Sequence, residues 1–72
     1  MYYVRVNYIE TAGDEVRKVE ENDICITKKD AAKFIARVVG EPRGRIEREI
    51  AARGVTLIKR DSQGWRAKVW YI

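Results

Sequence analysis

The side chains with the most chemistry to offer in this sequence are its cations. Lys28, Lys29, Lys33, Arg43, Arg45, Arg48, Lys59, Arg60, Arg66 and Lys68 all lie in residues 28–72, where twelve basic residues stand against five acidic ones, a balance of +7. Residues 1–27 hold three basic and six acidic residues, a balance of −3, so the formal net charge of +4 is concentrated in one part of the chain. Such asymmetry suits a polyanion or an acidic protein surface as partner. Arginine adds a planar fork that matches the two acceptors on the edge of guanine.

Catalytic chemistry has little to work with. The chain has no histidine, the commonest general base and metal ligand. Its one cysteine, Cys25, can form neither an intrachain disulfide nor a structural zinc site. Between Ile24 and Ile26 it reads as a small buried hydrophobe, because a nucleophilic thiolate needs an open, electropositive setting. Gly40 and Gly44 neither follow a strand nor precede a lysine–serine pair, so they are no phosphate-binding loop. Glu20 and Glu21, adjacent on a strand, should point to opposite faces. Glu47 and Glu49 fall about 200° apart around a helix and cannot share a proton or a metal. A non-enzymatic protein with no cofactor and no metal is expected.

The elements that must position the cations follow from periodicity. In residues 2–9, Tyr2, Val4, Val6 and Tyr8 alternate with Tyr3, Arg5, Asn7 and Ile9, the period of a strand. Thr11-Ala12-Gly13-Asp14 is a turn. Residues 16–26 form the returning strand, with a bulge or break expected at Glu20-Glu21-Asn22-Asp23. Thr27-Lys28-Lys29-Asp30 fits a helix-capping box. Ala31, Phe34, Ile35, Val38 and Val39 follow at helical spacing, with Lys29, Lys33 and Arg37 on the opposite side. Gly40 and Pro42 end that helix. A second helix is expected from Arg43 or Gly44 to Arg53, with Ile46 and Ile50 inward and Glu49 paired to Arg53. Val55–Lys59, a turn at Asp61-Ser62-Gln63-Gly64, and the alternation of Trp65, Ala67, Val69 and Tyr71 with Arg66, Lys68, Trp70 and Ile72 make a closing hairpin. The expectation is one α+β domain over residues 1–72, ββααββ, with two short helices on one face of a four-stranded, mainly antiparallel sheet.

The segment Phe34-Ile35-Ala36-Arg37-Val38-Val39-Gly40-Glu41-Pro42-Arg43-Gly44-Arg45-Ile46 resembles the helix-turn-helix family. Ala36 matches the small residue that lets the second helix approach, Gly40 the turn glycine, and Ile46 the apolar anchor of the second helix. The hairpin from Val55 to Ile72 stands where a winged member has its wing. Three features depart from that pattern. Glu41 fills a turn position the family gives to an apolar residue, Ile50 falls one residue late, and the chain opens on a hairpin. The resemblance implies a second helix in the major groove. Arg43, Arg45 and Arg48 would then face base edges, with Lys28, Lys29, Lys33, Lys59, Arg60, Arg66 and Lys68 on phosphates.

A second surface is the sheet face carrying Tyr3, Arg5, Arg66, Lys68 and Trp70. Aromatic rings between cations can stack single-stranded bases or anchor a protein partner, a second copy included; Tyr3, Arg5 and Trp70 are its partner-interface candidates. The chain has no apolar run long enough to span a membrane and no signal-peptide pattern at its start, so a cytoplasmic protein is expected. Two functions compete. One is a small DNA- or RNA-binding regulator. The other is a protein-binding inhibitor or adaptor, of the compact kind phages encode against a host nucleic-acid-handling or CRISPR-like defence complex.

Overall fold

In a computed structural model, which describes residues 1–72, the period-two segment becomes the strand β1 (Tyr2–Ala12), returning as β2 (Glu15–Cys25). Ala12 pairs with Glu15 across the two-residue turn Gly13-Asp14. Gly13 has φ 62°, the left-handed geometry that the first central residue of a type II′ hairpin requires. The expected break in the return strand is absent: Glu20 to Asp23 continue the ladder, pairing in register with Asn7, Val6, Arg5 and Val4. β2 is an edge strand, so polar side chains there stay in water and also blunt the edge against pairing with other chains.

The helix α1 spans Lys28–Val39, with Thr27 as its N-cap accepting from the Asp30 amide at 3.1 Å. The reciprocal half of the capping box is not made, as the short aspartate leaves the Thr27 amide unpaired by it. Gly40 closes the helix in the left-handed region, φ 76°, donating its N–H to the Ala36 carbonyl at 2.8 Å. The helix α2 covers only Arg43–Glu49 and starts after Pro42. It ends four residues earlier than the sequence suggests. Ile50 turns extended at ψ 123° and is still buried in the core. The expected Glu49–Arg53 pair therefore does not form. β3 (Val55–Arg60), a 3-10 turn (Asp61–Gln63) and β4 (Trp65–Tyr71) complete the chain.

The architecture is α+β: an antiparallel four-stranded sheet in the order β2-β1-β4-β3, with two helices. Paired residues share a sheet face. Tyr2, Val4 and Val6 of β1, Cys25 of β2, Ile58 of β3 and Trp65, Ala67 and Val69 of β4 join Ala31, Ala32, Phe34, Ile35, Ile46 and Ile50 in one buried cluster. Both helices thus contribute to a core on one side of the sheet, and the other side is left without a covering layer. β4 meets β1 only from Tyr2 to Tyr8. The Ile9 amide still reaches the Gly64 carbonyl at 2.9 Å, and residues 10–17 project beyond it as a two-stranded ribbon whose residues are all exposed.

Candidate nucleic-acid interface

Arg60, the last residue of β3, organises the helical side. Its guanidinium lies 5.5 Å from the centroid of the Trp65 ring. It bonds the Glu49 carboxylate on α2 and places Nε 3.3 Å from Oε2 of Glu41 in the turn between the helices. Glu49 and, more weakly, Glu41 hold the Arg60 guanidinium protonated above its ordinary range, against the opposing effect of burial. The Glu41 side chain is only 9% exposed, and neither of its oxygens receives a well-aligned hydrogen bond; it is held by charge. The turn is tied to the sheet by an ion pair, and the partner lies nineteen positions later in the chain, where no local spacing reveals it.

The clamp leaves the remaining cations of the helical side without neutralising neighbours. Lys28, Lys29, Lys33 and Arg37 on α1, Arg43, Arg45 and Arg48 on α2, and Arg53 beyond it have no carboxylate within 4.0 Å. The only carboxylates of that segment not held by Arg60 are Asp30 and Glu47. Lys29, Lys33 and Arg37 follow one another at four-residue spacing on the exposed side of α1. Arg37 joins the unpaired cations on this ground, and its stripe is legible from spacing alone. Arg53 lies outside any helix, so helical spacing gives it no place.

The ten cations expected to act together are divided between two surfaces. Lys28, Lys29, Lys33, Arg43, Arg45 and Arg48 lie on the helical side. Arg60 is also there, yet it is committed to Glu41 and Glu49 and only 17% exposed. Lys59, Arg66 and Lys68 pair with one another or with Leu57 and β1 across the open face of the sheet. Arg66 is forked onto Asp61, Nε to Oδ1 at 2.7 Å and Nη2 to Oδ2 at 3.1 Å. That bond holds the Asp61 carboxyl below its usual range and the guanidinium above its own.

The open face assembles the aromatic–basic group expected of it. The Tyr3 and Trp70 rings stand 5.1 Å apart between centroids, tilted at 48°. The Trp70 ring is flanked by Arg5 at 5.3 Å and the Lys68 ammonium at 5.0 Å. Arg5 also lies 3.8 Å from Glu20. As expected, Glu20 and Glu21 diverge: Glu21 is on the helix-bearing face, where it accepts from the Tyr8 hydroxyl at 2.9 Å. That bond, with burial and the Glu21 and Glu10 charges, pushes the Tyr8 pKa up. Burial, reinforced by Asp23 and Asp30, pushes the Cys25 thiol up, which keeps it protonated and poorly nucleophilic.

No protein-family model, curated protein or solved structure matches the chain. No group of three or more His, Cys, Asp or Glu side chains is placed to hold a metal ion. Two open concavities, of about 650 and 320 Å³, lie beside Tyr8 and Trp65 and beside Cys25 and Phe34. No helix is long and apolar enough to cross a membrane.

Proposed function

We propose that the protein is a small, non-enzymatic nucleic-acid-binding domain that docks by its helical side. The observation that carries the proposal is the Arg60 clamp. By engaging Glu41 and Glu49, it takes up two of the four carboxylates among residues 28–53 and leaves eight cations unpaired. Phosphates are the natural counter-charge for unpaired lysines and arginines, and binding them releases condensed counterions. The seven-residue α2 is roughly 10 Å long, so it offers few positions for reading bases. Affinity should therefore rest mainly on the backbone and depend weakly on sequence, with Arg43, Arg45 and Arg48 the candidate base readers.

Mobility-shift titrations of duplex and single-stranded probes at a series of salt concentrations test this. The wild type should lose affinity steeply as salt rises. Arg45→Ala combined with Arg48→Ala should weaken duplex binding and relax what sequence preference it has. The melting temperature should stay nearly unchanged, because both side chains are exposed. Unaltered affinity in the double variant would reject α2 as part of the contact.

The same unpaired cations also favour a second reading, an inhibitor or adaptor that seats them on an acidic protein. In that case the protein would have little affinity for free DNA or RNA at any salt concentration and would co-purify with an acidic partner.

A further inference from the structure

The open face of the sheet is apolar at one end and charged at the other. Across the strands from β2 to β3, one row reads Ile24, Tyr3, Trp70, Val55. The next reads Asn22, Arg5, Lys68, Leu57, and the third Glu20, Asn7, Arg66, Lys59. Ile24, Val55 and Leu57 are 56, 55 and 51% exposed. Met1 and Ile72, beside this end, are also more than half exposed. Apolar groups gathered this way on a small domain mark a surface that something covers.

We infer that the covering partner is a second copy of this chain, packed sheet to sheet about a two-fold axis that runs between β1 and β4, parallel to the strands. Such an axis exchanges the two ends of every row. In the apolar row it sets Ile24 on Val55 of the second copy and Tyr3 on its Trp70. In the third row it sets Glu20 on Lys59 of the second copy, an ion pair made twice by symmetry. The like-charged meeting, Arg5 with Lys68 of the second copy, is likewise made twice. Arg5 already has Glu20 beside it, and both cations lie against Trp70. The four-stranded part of the face, where β1 from Tyr2 to Tyr8 lies between β2 and β4, is roughly 24 Å long and roughly 15 Å across the strands, which sets the interface at the small end of the range for specific association. Aligned sheet packing is the ordinary way for two such faces to meet. Single-stranded bases suit this face less well. Cations already flank the Trp70 ring on which a base would stack, and the exposed aliphatic side chains offer nothing to a sugar–phosphate chain.

In such a dimer the two helical sides point outward in opposite directions. Taken with the nucleic-acid reading above, one dimer would hold two nucleic-acid segments; this consequence alone rests on that reading.

Sedimentation equilibrium of the whole chain, without nucleic acid, is the test. Wild type should approach twice the 8.4 kDa chain mass at micromolar concentration. Ile24→Gln with Val55→Gln should be monomeric, and its circular dichroism should show it folded, since both residues are exposed. Glu20→Lys and Lys59→Glu should each weaken association tenfold or more, and the two together should restore it. That rescue separates an interfacial ion pair from a merely structural role. A wild type that stays monomeric, a dimer untouched by the Gln substitutions, or a charge swap without rescue would each overturn the proposal; the last two would point to a different surface or register. A pull-down of a labelled duplex by a tethered one then reads bridging. Loss of bridging with single-duplex binding intact in the Gln variant supports the dimer. Absence of any duplex binding would reject the nucleic-acid reading and leave the dimer standing.

Discussion

Arg60 does more for this fold than any other charged side chain. It joins β3 to the inter-helix turn through Glu41 and to α2 through Glu49, and it covers Trp65. Removing it strands a nearly buried carboxylate, the costly way to break an ion pair. Arg60→Ala should lower stability by about 2–4 kcal/mol, less than the worst cases because Glu49 is partly in water. Urea unfolding midpoints measure it. Replacing both partners by apolar residues, Glu41→Leu with Arg60→Met, should recover much of the loss, and a double variant no better than Arg60→Ala would show that the pair is not what holds the turn. From the sequence, Arg60 looks like one more cation for phosphate and Glu41 like a flaw in a motif. Each is ordinary beside its chain neighbours, and only the fold brings them together. Cys25 shows the opposite case. Its flanking isoleucines point to burial, and it is buried. The isoleucines themselves are exposed: strand alternation sends Ile24 to the opposite side, and Ile26 lies past the strand's end, just before the Thr27 cap.

At the level of elements, local signals act where side chains compete for a core and fail where none do. The periods of Tyr2 to Tyr8 and of Trp65 to Tyr71, the Thr27 cap and the Gly40 stop all reappear in the structure because burial or a backbone requirement enforces them. The polar run from Glu20 to Asp23 carries no periodic signal, yet it forms strand because β1 supplies the template. The end of α2 is equally invisible, since Ile50 is buried whether helical or extended. The ribbon formed by residues 10–17 is the least supported element. It has two strands, no helix above it and no buried side chain, and an isolated two-stranded hairpin is marginal in water. Native-state hydrogen exchange should show amides within residues 10–17 opening through local fluctuations, far faster than those of residues 2–8 and 65–71. Equal protection across the hairpin would mean that something outside the chain covers the ribbon, or that the free hairpin is stiffer than its contacts suggest.

For the whole molecule, charge asymmetry between the two parts of the sequence becomes a difference in place. The sequence shows that cations accumulate after residue 28. Alternation in the closing hairpin already separates Arg66 and Lys68 from Ala67 and Val69; what the sequence does not show is that Lys59 joins them on the uncovered face while Arg60 turns to Glu41 and Glu49. The molecule is therefore a thin layered body with an unlike surface on each side, and only 14 of its 72 residues are buried. A chain of this size has little stability to spare, so association through the open face should register in its melting. When dimers predominate in the native state, a hundredfold rise in protein concentration adds about 1.4 kcal/mol per chain by mass action. That is roughly 5–10 °C in melting temperature for a domain of this length. The wild type should show this rise across a concentration series followed by circular dichroism. Ile24→Gln with Val55→Gln should melt at one temperature throughout, at or below the wild type's most dilute value. A wild-type transition independent of concentration would mean that the fold gains nothing from a second copy, and the open face would then have to be stable in water as it stands.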